Sequence, residues 1–360
     1  MSEHGNIMRT RIHSGCRGEA FPLRPTKSSG YAYVSIAERQ KNLRENLEGY
    51  SRPYGLESSI DADLGVDVED LFINMQKRET QYVSSKNYKP NASYIPCRHH
   101  LVDWMSNVGE QCNLLNSTVH VSIILLDKIF SKLDVPKSEW HLFATACISI
   151  AAKSEETHER CPAIPDLLAI TKLSDTGHTY LSFRDGEIEV LDCLRWRLRA
   201  VPPIHFVEYF LSRGVIFEAD TWQGCELTEE ILEYVKKYAE YFCNLTIRKY
   251  TFQQYRPSHL AATIILASRI ALQIEPTWCQ ELVRLTYLDQ NDISETYHHV
   301  WSYCEDQFPG HSPRSLSGME RYDNIFHDGG RKGGRNRKHN TQTWLKYGLD
   351  TRGRRVILDR

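Results

Sequence analysis

The apolar positions of this chain recur at helical spacing from about residue 67 to residue 304. In DVEDLFINMQKRETQY, residues 67–82, Leu71, Met75 and the pair Val68 and Phe72 fall on helical intervals. Acids fill the first turn, and Lys77 and Arg78 come later, as the helix dipole favours. A proline-bounded connector, NYKPNASYIP, follows. Helices are then expected over residues 98–112, 118–133, 141–156, 164–170 and 182–196. In the first of these, Leu101, Trp104, Met105 and Val108 form one stripe, while the second is apolar nearly all round. The third, HLFATACISIAAKSEE, is lined with Ala, Ser and Cys, so neighbouring helices can approach it closely. Ser138 is placed to cap it, and its end flips abruptly to Lys153, Ser154, Glu155 and Glu156.

Val201-Pro202-Pro203 closes that unit, and the plan repeats over residues 204–211, 228–245, 258–272, 277–286 and 289–304. The third helix of this set, SHLAATIILASRIALQ, again mixes small and bulky apolar residues, which points to an internal duplication of architecture. The expected fold is all-α: two tandem five-helix bundles, residues 66–200 with a leading helix and residues 201–308. Residues 1–65 and 309–360 lack periodicity and are expected to be disordered.

Composition changes this picture in one respect. The 360 residues carry a formal charge of -2, but residues 310–360 hold 12 Lys and Arg against 5 Asp and Glu, or +7, leaving -9 for the rest. An acidic body with a basic end suggests separate tasks. The 10 cysteines form no CxxC pair, so zinc ribbons and thioredoxin-like sites find no support, and with no leader-like or membrane-length apolar run a reducing compartment is expected. His99-His100 and His298-His299 are adjacent pairs expected to face different ways on their helices. Glycine loops that cradle phosphate are missing too, so neither catalysis, a metal nor a cofactor is expected.

The ordered segments RHHLVDWMSNVGEQCNLLNSTVHVSIILLDKIF, FATACISIAAKSEE and EIEVLDCLRWRL resemble successive helices of a cyclin box. HFVEYFLSRGV, KKYAEYF, FQQYRPSHLAATIILASRIAL and PTWCQELVRLT resemble a C-terminal box, most of all that of the cyclin J branch. The resemblance implies a non-catalytic regulatory subunit that binds and activates a cyclin-dependent protein kinase in cell-cycle control, working in the nucleus and also, by the same reading, in the cytoplasm. It implies that Lys153 and Glu187 grip the kinase's mobile helix and the strand before it, beside Trp196 and Leu71, with Glu155 and Glu156 as an acidic corner. The alternative for Lys153 and Glu187 is an intramolecular surface ion pair. Ser154 departs from the usual Phe, which removes apolar area and points to weaker pairing or a different kinase. Arg98 and Asp103 match a charged pair that braces the first helix, although their separation suits contacts to other helices better.

A second surface of cell-cycle cyclins docks Arg-x-Leu motifs. Its floor would map to Leu101 and Trp104, with His141 nearby, but Cys97, His100 and Asn107 all depart from the family pattern. The rival function is a cyclin-fold scaffold that binds nucleic acid or transcription machinery without activating a kinase. The basic residues 331–339 would then contact phosphate or direct nuclear import, against an acidic body that disfavours nucleic acid. Arg44–Leu47 fits a loose RxxL degradation pattern, and Ser312-Pro313 is a minimal proline-directed phosphorylation site.

Overall fold

The computed structural model describes residues 51–55, 68–83 and 93–307, together with the backbone of two short strands, Tyr347–Leu349 and Arg355–Ile357. Among the described residues a leading helix, α1 (Val68–Glu79), precedes two helical bundles. The first bundle is α2 (Tyr94–Gln111), α3 (Asn116–Phe130), α4 (Trp140–Glu155), α5 (Ile164–Thr171) and α6 (Tyr180–Leu194). The second is α7 (Pro203–Arg213), α8 (Glu230–Arg248), α9 (Pro257–Ala271), α10 (Gln280–Thr286) and α11 (Gln290–Gln307). Two short strands, β1 (Thr221–Trp222) and β2 (Ile274–Glu275), pair antiparallel beside the second bundle. The two strands near the C-terminus, β3 (Tyr347–Leu349) and β4 (Arg355–Ile357), pair in the same sense. They lie in the tail expected to be disordered, and they correct that expectation for these residues.

The small-residue helices sit at the centre of each bundle, as their composition predicts. α4 is buried from Trp140 to Ala152 except at His141 and packs on α2, α3, α5 and α6. α9 is buried over most of its length and packs on α7, α8 and α11. Close approach is visible elsewhere too: at Gly109 a Cβ would lie 2.3 Å from Val119 Cγ2, so α2 and α3 meet there only because the residue is glycine.

Two expectations are corrected, and one packing contact is added. α4 starts after a 3-10 turn over Lys137–Glu139, and its N-cap Glu139 makes no side-chain cap bond, so Ser138 is not the cap. α1 precedes the first bundle in sequence but shares the core of the second. Phe72 stacks on Tyr209 (centroids 5.1 Å) and meets Phe206 and Phe210 edge-on or tilted. Tyr287 adds a fourth ring at 5.8 Å, and burying a Phe is worth about 2–3 kcal/mol. The Glu79 carboxylate then accepts from Ser258 N (2.8 Å) at the start of α9. Burial pushes its pKa up, and the Ser258 bond pulls the other way. Lastly, residues 51–55, placed by sequence in a disordered region, hydrogen-bond to the second bundle.

The bundles are joined by buried polar contacts. Arg98 forms a two-pronged pair with Asp127 on α3 (2.8 Å each) and also donates to Ile247 O (2.7 Å) and Arg248 O (3.0 Å) at the end of α8. Tyr94 completes the cluster, donating to Asp127 Oδ1 (2.8 Å). Burial disfavours the Arg98 charge, but the attraction and hydrogen bonds of Asp127 outweigh it and raise the pKa. Asp103 pairs instead with Arg248 (2.8 Å). The expected Arg98–Asp103 pair is thus replaced by two pairs that each reach another helix, because a five-residue offset puts the two side chains on different sides of α2.

Candidate partner-binding site

The last turn of α4 and the outward face of α6 build the site. Thr179 caps α6: its hydroxyl accepts from Ser182 N (3.2 Å), while Ser182 Oγ accepts from Thr179 N (2.7 Å). With the helix pinned there, Phe183, Gly186, Val190 and Leu194 face the core. Glu187 falls at the edge of that face, its side chain 11% exposed. Lys153 Nζ reaches it from α4 at 2.6 Å with 47% of its side chain exposed. The ion pair foreseen as the alternative is therefore present. A pair so exposed on one side contributes only about 0–1 kcal/mol. An ammonium carries three donors, so a lysine spending one on Glu187 has two more for another acceptor.

Exposed apolar side chains lie on α6, on the turn after it and on α1. Tyr180, Leu181 and Ile188 of α6 are about half exposed, Trp196 is 68% exposed and Leu71 of α1 47%. Leu115, before α3, is exposed as well. Sequence reasoning missed Tyr180, Leu181 and Ile188. The signal was legible: Leu181 and Ile188 lie seven apart and Ile188 neighbours Glu187, an apolar line on a face opposite Phe183 and Val190. Trp196 is held out by unusual backbone. Arg195 (φ 51) and Trp196 (φ 59) both lie in the left-handed region, closed by Trp196 N donating to Leu191 O (3.0 Å). Each such non-glycine residue costs about 1–2 kcal/mol. Tyr82, just after α1, donates its hydroxyl to Arg197 O, and Lys128 Nζ donates to Gln81 O (2.8 Å), pinning the end of α1 beside this turn.

The acidic corner separates into two different structures. Glu156 is turned inward with its side chain wholly buried, and one oxygen accepts from Leu115 N and from the Thr118 hydroxyl (2.7 Å each). Its other oxygen pairs with Arg160 at 3.2 Å. Glu156 therefore closes the start of α3 and is not offered to a partner, which corrects its expected role. Glu155 faces the seam between the bundles, 3.8 Å from His205 Nε2. Burial raises its pKa, countered by the Ser154 hydroxyl and Arg199, while burial depresses His205 to about 4. Ser154 is exposed, and its hydroxyl lies 3.4 Å from Glu155 Oε1.

The expected docking floor is only partly open. Leu101 is 4% exposed and belongs to the core, so it is corrected from floor to packing residue. Trp104 is half-buried with its ring edge-on to the exposed His141 (centroids 4.8 Å). His99 and His100 do not diverge as expected: their rings meet at 3.9 Å. Among the described residues no group of three or more His, Cys, Asp or Glu is placed to hold a metal ion, and no helix is long and apolar enough to cross a membrane. The RxxL pattern at Arg44–Leu47, Ser312-Pro313 and the basic residues 331–339 lie outside the described residues.

Comparison with known proteins bears on this geometry. The family model for the cyclin N-terminal domain matches residues 70–199, and that for the cyclin C-terminal domain matches residues 201–317. A protein named cyclin-J from Xenopus laevis is 29% identical over 204 residues, 56% of this chain and 53% of that protein. A mouse cyclin-J-like protein is 26% identical over 231 residues, 62% of this chain and 59% of its own length. The chain thus spans somewhat over half the length of these curated relatives. The solved structure of a viral cyclin from herpesvirus saimiri superposes with a TM-score of 0.52 at 18% identity, covering 66% of this chain and 97% of the viral one. That likeness is one of fold. With both domain models matched in order over the two bundles, the chain belongs to the cyclin family.

Proposed function

We propose that this chain is a non-catalytic regulatory subunit that binds and activates a cyclin-dependent protein kinase. The observation that carries the reading is the Lys153–Glu187 pair and, on α6 and the turn after it, the exposed apolar surface of Tyr180, Leu181, Ile188 and Trp196. A kinase helix laid on this surface would bury the apolar rings, and each 100 Å² so covered is worth about 2.5 kcal/mol before association costs are met. Lys153 has donors left for backbone carbonyls of the partner. Glu187, held in place by Lys153, keeps acceptor capacity for backbone N–H groups. Both charges sit on packed helices, so little ordering is required when a partner arrives. The relatives' names, which include cyclin-J and a G2/mitotic-specific cyclin-B from Spisula solidissima, support a place in the cell cycle.

The test is co-purification of the full chain with a panel of cyclin-dependent kinases, followed by a histone phosphorylation assay. Wild type is compared with Lys153→Ala plus Glu187→Ala, and separately with Ile188→Glu. One kinase should be retained and activated by wild type, and both variants should bind it at least tenfold more weakly, about 1.4 kcal/mol. Retention of no kinase, or equal activation by the variants, defeats the proposal.

A further inference from the structure

Residues 51–55, reading SRPYG, lie against the second bundle as a short antiparallel edge. Tyr54 N donates to Ile216 O (2.8 Å) and Glu218 N donates to Arg52 O (2.9 Å), with Pro53 opposite Phe217 between them. Pro53 occupies the non-hydrogen-bonded place in this ladder, where a missing N–H leaves nothing unpaired. Phe217 spends its own N–H on Asp220 Oδ2 (2.9 Å), so it asks nothing of the residue opposite.

The flanking residues are read by side-chain chemistry. Ser51 donates its N–H to Glu281 Oε1 (2.8 Å), and its hydroxyl accepts from Ala219 N (2.9 Å). Tyr54 is half-buried against the second core, its hydroxyl 3.4 Å from Leu227 O. Gly55 has φ +70, and a Cβ there would come within 2.5 Å of Leu232 Cδ1. Arg52 is exposed. Three of the five positions, Ser51, Tyr54 and Gly55, thus carry a specific requirement, each from a different part of the second bundle, while Pro53 is tolerated.

We propose that this surface is a receptor for extended Ser-x-x-Tyr-Gly segments, filled at rest by the chain's own residues 51–55 and open to a partner protein's segment of that pattern. Recognition by main-chain pairing with one aromatic anchor is the mode by which sheet edges take peptides. The resident segment is held by a few hydrogen bonds, each modest once exchange with water is counted, against the ordering of its backbone. Its advantage is covalent attachment, which gives it a high effective concentration that a partner must exceed. This receptor lies on the second bundle and is independent of the Lys153 site on the first.

The test uses the full chain carrying Tyr54→Ala and Gly55→Val, and a fluorescein-labelled peptide EGYSRPYGLE, the sequence of residues 48–57. Anisotropy should show the peptide binding the variant at least tenfold more tightly than wild type, whose receptor is occupied. A peptide with alanine in place of the second tyrosine should not bind. Equal binding to wild type and variant, or none to the variant, overturns the proposal. A second reading uses the same variant: excess peptide should slow amide exchange at its Glu218 and Ala219, since both donate to the segment. Exchange that ignores the peptide overturns it equally.

Discussion

At the scale of single residues, neighbouring charges at the end of α4 do opposite things. Glu156 is spent on Leu115 N and Thr118, whereas Lys153 is half exposed beside Glu187. Removing the Glu156 carboxylate leaves the hydroxyl of buried Thr118 without its acceptor, and such a loss costs about 1–3 kcal/mol. Glu156→Ala is therefore expected to lower the unfolding free energy by that amount, read from urea denaturation, while leaving kinase capture intact. Lys153→Ala should do the reverse, with stability within about 0.5 kcal/mol of wild type. His120 carries a second prediction. It is buried between the bundles with Nε2 2.9 Å from Asn244 Oδ1, and burial depresses its pKa to about 4 from 6.5. The unfolded chain binds the proton more readily, so this histidine's stabilisation is complete above about pH 6.5 and is lost as pH falls toward 4. Glu79 and Glu155, whose pKa values are raised, act in the opposite direction. The contribution of His120 is isolated by difference: His120→Gln should unfold with a shallower acid dependence than wild type between pH 6.5 and 4. Parallel curves would exclude it.

At the scale of elements, small residues decide how near two helices come. Gly109 is the sharpest case. Alanine would normally stabilise a helix interior by about 1 kcal/mol over glycine, yet here its Cβ would meet Val119 Cγ2 at 2.3 Å. Crowding is expected to win, so Gly109→Ala should destabilise by about 1–3 kcal/mol in chemical denaturation. Because the conflict is with one methyl, Val119→Ala should cost less in the Gly109→Ala background than alone. Additive losses would show that the helices separate freely. The helix positions themselves were readable from periodicity, since every expected helix is present and most ends agree to within a turn. Capping was less legible: Ser138 offered the right side chain, but the 3-10 turn at Lys137–Glu139 moved the start of α4 past it.

At the scale of the molecule, the two bundles share material. Ile247 belongs to α8 but packs in the core of the first bundle, and Arg98 and Asp103 of α2 bond to Ile247, Arg248 or both. Truncating a buried Ile to Ala costs about 2–5 kcal/mol, and here the cost falls on the seam. Wild type should thus melt in one calorimetric transition, and Ile247→Ala with Arg248→Ala should split it into two. A single transition in both would mean that the bundles are coupled elsewhere. α1 adds a second tie, since it packs on the second bundle while its C-terminal end is held at the Trp196 turn of the first.

The sequence by itself determined the all-α class, the two bundles and the central place of each small-residue helix. Those follow from local spacing and side-chain size, which act within a few residues of chain. It also led to Lys153 and Glu187, through ordered motifs shared with a family. What only the tertiary structure decided were pairings across long separations: Arg98 with Asp127, Asp103 with Arg248, Phe72 with the second core, and residues 51–55 with Ile216–Ala219. Such contacts depend on how helices are laid against one another, and a side chain's periodicity says which way it faces without saying what it meets. The fate of Glu156 shows the difference most plainly. In sequence it is one more acid after Lys153, and only the approach of α3 turns its carboxylate inward.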